Sequence, residues 1–272
     1  MARKEKDAPE KTGRWRWMRQ SVRVLIAGVI IGGGLYAFQR VELFLLRDAR
    51  FVIATPDYGL ETPSIRISGV RHASRAQVLR VFSPDFGRSL YQVPMKERRA
   101  RLLQLDWVKD ANVSRIWPNR LLVRIQEREP VAFIQVPAPG GASRFALIDA
   151  DGIILQPPKQ AGFKLPLALG VKTGDPVQQR REGVHRMSRL IEDLGPMAGK
   201  VSEVDVSDAD NLKVSTRVDD RAITLFLGDH NFAQRMQNFV THYPQIQQKL
   251  PSATTLDMRL EDRITAVEGK TE

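Results

Sequence analysis

The chain contains no cysteine, and its four histidines, His72, His185, His230 and His242, stand singly. The first absence excludes disulfides and thiolate metal sites but assigns no compartment, since many exported proteins also lack Cys. The second leaves no H-E-x-x-H or comparable metal spacing, so each histidine reads as a surface or satisfied polar group. Aromatic residues are 7% of the sequence, and none interleaves with Lys96, Arg98, Arg99 and Arg101 as a base-stacking platform requires. Those cations read as the wet face of a helix, mostly left to solvent. Asp205 to Asn211 lacks the glycine of a calcium loop and puts Leu212 where a ligand is needed, which leaves a turn. Ser143, after "GGA", has no strand-turn-helix setting for a nucleophile, and the glycines at 32–34 sit in an apolar run where no nucleotide loop forms. No catalytic, metal, cofactor or small-molecule site emerges. The chain reads as a binding protein and not an enzyme.

Acidic residues are the scarcer charge, 31 Asp and Glu against 42 Lys and Arg, for a formal net charge of +11. The excess is not spread evenly. Residues 1–23 hold eight Lys or Arg against three acids, net +5, and sixteen residues without a charge follow between Arg23 and Arg40. Residues 40–61 then carry three Arg against four acids. Such asymmetry places the N-terminus in the cytoplasm beside anionic lipid, and it argues against a nucleic-acid groove. Sixteen helical residues reach only about 24 Å of a bilayer core of about 30 Å. Val22, Val41 and Leu43 to Leu46 extend the reach, and Arg23 and Arg40 can snorkel. A cleaved signal peptide is the rival reading, weakened by the long n-region with Trp15 and Trp17 and by the lack of a convincing cleavage site. Gly28 and Gly32 form a G-x-x-x-G, either a pairing face for two membrane helices or simply small residues tolerated in lipid.

At 272 residues, 42% apolar and 27% charged, the remainder suits one or two globular domains. Ile65 and Ile67 alternate about Arg66 as a strand ending at Gly69. Ser74 and Gln77 form a capping box before Val78, Leu79 and Phe82, and a second helix is expected from Pro94 to about Leu105, burying Met95, Leu102, Leu103 and Leu105. Ala111 and Val113 alternate before Pro118 and Asn119, and Leu121, Val123 and Ile125 alternate after them, an antiparallel hairpin. After a Pro and Gly hinge at 136–143, Asp151-Gly152 marks another hairpin. Helices are expected at Glu182 to Leu194, stopped by Gly195, and from Asn231 to Leu250 with a kink at Pro244. Strands are expected at Val201 to Val206, Leu212 to Val218, Ala222 to Leu227 and, last, Leu256 to Leu260.

The phrase "WVKDANVSRIWPNRLLVRIQEREPVA" resembles the POTRA domain of the bacterial FtsQ/DivIB cell-division family. That family repeats W-V-x-x-A-x-V-x-R-x-W-P-x-x-L-x-V-x-I-x-E-R-x-P-V-A. Trp107, Val108, Ala111, Val113, Arg115, Trp117, Pro118, Leu121 or Leu122, Val123, Ile125, Glu127, Arg128, Pro130, Val131 and Ala132 supply it. Leu147 to Gly152, Leu165-Pro166, "FLG", "RMQNFVTHYP" and "LDMR" are similar to the same family's β domain. The match departs at Leu260, Glu261 and Asp262, where the family has an aromatic residue and then a glycine.

The resemblance implies an α+β fold: a single transmembrane helix followed by a POTRA domain and a second mixed β domain with helices. The implied layout is a basic tail at 1–23, the membrane helix at 24–41, POTRA at 60–135, the β domain at 143–265 and a C-terminal tail at 266–272. It further implies a single-pass protein of the bacterial inner membrane at the septum, with the later domains periplasmic. Its partners would be FtsB/FtsL-like bitopic proteins, other divisome components and inner-membrane lipid, with no nucleic acid. The expected contact is strand addition at Leu256, Asp257, Met258, Arg259 and Leu260, with Arg259 meeting an acidic partner. Alternatives are an anchored periplasmic wall enzyme, or a docking module for outer-membrane biogenesis.

Overall fold

The computed structural model describes residues 12–56, 62–158, 162–260 and 263–267, with side chains from Trp17 onward. By its packing the chain falls into two compact units, one drawn from residues 1–66, 79–98 and 113–123, the other from 67–78, 99–112 and 124–272. The N-terminal tail to residue 11, Glu261, Asp262 and residues 268–272 lie outside the described residues.

The first helix, α1 (Thr12–Arg47), has 36 residues and outruns the expected 24–41 at both ends. Its stretch Trp17–Arg47, 31 residues, contains an 18-residue window of mean hydropathy 1.8, is long and apolar enough to cross a membrane, and has none of that window buried. At about 1.5 Å per residue it exceeds a bilayer core of about 30 Å, so the shortness of the uncharged run is no obstacle. Asp48 ends the helix: its carboxylate accepts from the Arg50 backbone N–H at 2.9 Å and caps the 3-10 turn Ala49–Phe51. The chain then runs back along Gly87 to Ser89, with Ile53 N–H donating to the Arg88 carbonyl at 3.0 Å.

The strand, helix, helix, strand, strand order is present as β1 (Ile65–Ser68), α2 (Arg75–Arg80), α3 (Met95–Leu102), β2 (Val108–Ile116) and β3 (Arg120–Glu127). The strands form one sheet in the order β1-β3-β2. Leu121, Val123 and Ile125 are buried on alternate positions of β3, as the period of two requires. Ser74 accepts from the Gln77 N–H at 3.3 Å, but α2 stops at Arg80 and leaves Phe82 buried beyond it. The helix expected to Leu105 ends at Leu102, and Leu103 is exposed. Of the four cations expected to be mostly left to solvent, Arg98 is the exception: it is buried against Asp85, Nε to Oδ2 2.6 Å and Nη2 to Oδ1 2.9 Å.

Downstream lie β4 (Pro130–Pro137), β5 (Ser143–Asp149), β6 (Ile154–Leu155), β7 (Leu167–Leu169), α4 (Val177–Leu194), β8 (Val201–Asp205), β9 (Leu212–Val218), β10 (Arg221–Gly228), α5 (Phe232–Lys249), β11 (Thr255–Asp257) and β12 (Thr265–Ala266). They make a nine-stranded sheet ordered β12-β11-β10-β9-β8-β7-β4-β5-β6. Residues 136–143, expected as a hinge, are the closed end of the antiparallel β4–β5 hairpin, with Val136 and Pro137 paired to Arg144 and Ser143 and only 138–142 as the loop, because β4 belongs to this sheet. Buried Ile134, Ile148, Val204, Val214 and Leu225 from the strands pack with Val184, Met187 and Leu190 of α4 and Met236 and Phe239 of α5. α4 starts earlier than the expected Glu182, directly after Pro176, and Gly195 at φ 50° ends it. Pro244 lies inside α5, which continues through it to Lys249.

Candidate partner-binding edge

The recurring residues of the long motif act mainly on local structure. The Glu127 carboxylate accepts three successive backbone N–H groups, from Arg71 at 2.8 Å, His72 at 2.9 Å and Ala73 at 2.7 Å. Its neighbour Arg128 donates to Asp149 at 2.7 Å and Asp151 at 3.3 Å, while Asp149 also accepts from the N–H groups of Asp151 and Ile153 at 3.0 and 2.8 Å. Trp107 donates Nε1–H to the Gln156 carbonyl at 2.9 Å and packs with buried Leu147 and Leu155. Gly152, at φ 78°, is required because a Cβ there would stand 2.7 Å from the Arg181 nitrogen. Among the histidines, His72 packs on Trp107, His230 meets Asp229, and His242 contacts the Asn238 carbonyl.

The expected site residues gather at one end of the large sheet. β11 runs parallel to β10, with Leu225 opposite Leu256 and Phe226 opposite Asp257. It covers only Thr255–Asp257, and Met258, Arg259 and Leu260 lie past its end. β11 is therefore shorter than the expected strand and is not the last one: β12 pairs antiparallel on its other side, Leu256 opposite Ala266 and Asp257 opposite Thr265. Leu256 and Met258 point into the core, and Met258 N–H donates inward to Phe226 O at 3.0 Å.

Arg259 already has a carboxylate. Its Nε lies 2.9 Å from Asp257 Oδ1 and its Nη2 2.5 Å from Oδ2, a bidentate pair on a half-exposed side chain. The Arg259 hydrogen bonds, joined by its backbone N–H and positive charge, hold the Asp257 carboxyl below the usual carboxylate value and raise the guanidinium in turn. Phe226 lies beneath this pair, its ring centroid 5.8 Å from Arg259 Cζ and 5.1 Å from Lys213 Nζ. Behind the strand end, buried Arg235 of α5 donates to the carbonyls of Leu227 at 2.5 Å, His230 at 3.0 Å and Arg259 at 3.1 Å. Gly228, at φ 72°, makes room, since a Cβ there would stand 2.7 Å from Arg235 Nη1. Sequence reasoning gave Arg235 no role, because its partners are backbone carbonyls, which carry no side-chain signal, and one of them, that of Arg259, lies 24 positions away. A groove of about 560 Å³ beside it is lined by Arg235, His242, Lys249 and Arg263 with Met258, Leu260 and Ile264, and none of its described lining residues is acidic.

Among the described residues β12 is the terminal strand. Val267 N–H donates to Thr255 O at 3.0 Å, so residues 265 and 267 turn their backbone groups toward β11, and alternation turns those of Ala266 away from it. Gly28 and Gly32, the other expected contact residues, lie within α1 with nothing within 4 Å of where a Cβ would stand.

A cell division protein FtsQ of Koribacter versatilis is 30% identical over 273 aligned residues, spanning 96% of this chain and 75% of that protein. The chain belongs to the FtsQ/DivIB family of cell-division proteins. Family models agree: one described as POTRA domain, FtsQ-type, matches residues 62–128, and one described as cell division protein FtsQ/DivIB, C-terminal, matches residues 139–259. The FtsQ of Zymomonas mobilis is 30% identical over 151 residues, 54% of this chain and 45% of that protein. That of Caulobacter vibrioides is 25% identical over 222 residues, 79% of this chain and 65% of that protein. As an FtsQ/DivIB member the chain has a part in cell division, and α1 suits a single-pass membrane protein.

Proposed function

We propose that the protein is a non-enzymatic scaffold of the division septum, with its N-terminus in the cytoplasm and its folded domains in the periplasm. It recruits FtsB/FtsL-like coiled-coil proteins by accepting a partner strand at the β12 end of the large sheet. The observation that carries this reading is the outward backbone of Ala266 on β12, the last strand among the described residues, beside a basic groove. Outward N–H and C=O groups supply affinity through a new ladder, and flanking side chains supply choice. Charge complementarity favours an acidic partner segment, because Lys249, Arg263 and Arg235 line the groove and Arg259 stands nearby.

Pull-down of tagged protein from detergent-solubilised membranes, with mass spectrometry of what is retained, tests this. Ala266→Pro removes one outward donor and no hydrogen bond to β11, so recovery of the small coiled-coil partners should fall at least tenfold while circular dichroism is unchanged. Arg259→Gln removes the side-chain charge without setting a second carboxylate beside Asp257. Loss with proline alone assigns the contact to backbone pairing. Wild-type recovery with Ala266→Pro sinks the strand-addition reading.

A further inference from the structure

The exit of α1 is clamped to the tip of the β2–β3 hairpin. Ser89 Oγ donates to the Leu45 carbonyl in the last turns of α1 at 2.7 Å. Arg115 of β2 donates Nε–H to Leu90 O at 3.0 Å and Nη2–H to Val93 O at 2.7 Å, gripping the 3-10 turn Leu90–Gln92 that follows Ser89. A line of rings makes the same connection: Phe44 and Phe51 have centroids 5.6 Å apart and meet edge to face, and Phe51 and Trp117 do so at 5.3 Å. The hairpin tip therefore lies two ring contacts from the end of α1.

What this corner presents outward is apolar with a basic fringe. Phe44 is 47% exposed, Tyr91 49%, Ile116 44% and Trp117 50%. Arg47 and Arg50 at the helix exit, Arg88 next to Ser89, and Arg120 just after the tip are exposed as well. The length of α1 sets the height. Counting about 20 residues at about 1.5 Å from Val24 gives about 30 Å, the thickness of a hydrocarbon core, and ends at Phe44. Phe44, Phe51 and Trp117 then fall at the boundary where Trp and Tyr rings gather because they are apolar with one polar atom.

We infer that the Trp-Pro hairpin tip, with Ile116, Trp117 and Tyr91, rests in the headgroup layer of the bilayer that α1 crosses, its arginine fringe facing anionic phospholipid. The inference rests on α1 spanning the membrane. Lipid is the occupant because the exposed apolar surface of α1 continues through Phe44 and Phe51 into the tip without a polar break in the ring series.

Because the chain has no cysteine, Ile116→Cys gives a unique site for a nitroxide label in the full chain, reconstituted in vesicles of phosphatidylethanolamine and phosphatidylglycerol. Val29→Cys, within α1, and Ala209→Cys, in an exposed turn, supply the lipid and aqueous references. The label at 116 should collide with oxygen in preference to a water-soluble nickel chelate, with nickel collisions severalfold rarer than at 209. The same contrast is expected at Tyr91→Cys. If position 29 reads as lipid while 116 and 91 match 209, the inference fails and the membrane-helix reading stands. If 29 also matches 209, both fail.

Discussion

At Arg98 the guanidinium is 4% exposed and lies 2.6 Å from the Asp85 carboxylate, itself 1% exposed. Removing one partner leaves a buried charge uncompensated, whereas replacing both by apolar groups does not. Asp85→Ala should therefore destabilise the protein by about 3–5 kcal/mol, read as a lower urea midpoint with unchanged slope. The double variant Asp85→Leu, Arg98→Met should recover most of that loss. The Arg259–Asp257 pair, a half-exposed guanidinium on a largely buried carboxylate, answers to pH instead. Hydrogen bonding from Arg259 holds the Asp257 carboxyl below its ordinary value of 3.8. The unfolded chain therefore takes up this proton first as pH falls. The stabilisation is complete above the ordinary value and is lost below it, through the folded-state pKa. Asp257→Asn should flatten that part of the stability profile by lowering stability at neutral pH toward the acid level, with little change below the folded-state pKa.

β3 is the element on which the long motif rests, with Leu121, Val123 and Ile125 buried on one face. Val123→Asp puts a carboxylate where no water reaches, and thermal unfolding should show a loss of at least about 2 kcal/mol. An unchanged midpoint would mean that the side chain escapes to solvent through a shifted register. This alternation was legible in the sequence because one covered face leaves a period of two in the apolar residues. The hinge at 136–143 was misread for a related reason. Proline and glycine mark a change of chain direction but not whether it joins two domains or two strands, and the partner that decides, β5, is recognised only by its pairing with β4.

For the whole molecule, the charge asymmetry about α1 predicts that a reporter fused after residue 272 is active only outside the cytoplasm. Mature protein beginning near residue 35 would instead reveal cleavage. The apolar segment, the strand and helix order, the α+β class and the family phrase could all be read from the sequence, because each is carried by near neighbours or by a regular period. The tertiary structure alone decided that Arg98 is buried, that Arg259 is already paired with Asp257, and that Arg235 ties three carbonyls behind the strand end. It alone decided that β12, and not β11, closes the sheet. Thr265 and Ala266 are too short a segment to show a period, so what makes them a strand is the ladder offered by Leu256 and Asp257. The Arg98–Asp85 pair and the β11–β12 edge join residues from separate parts of the chain, and whether Asp257 and Arg259, two positions apart, meet each other is set by the fold around them.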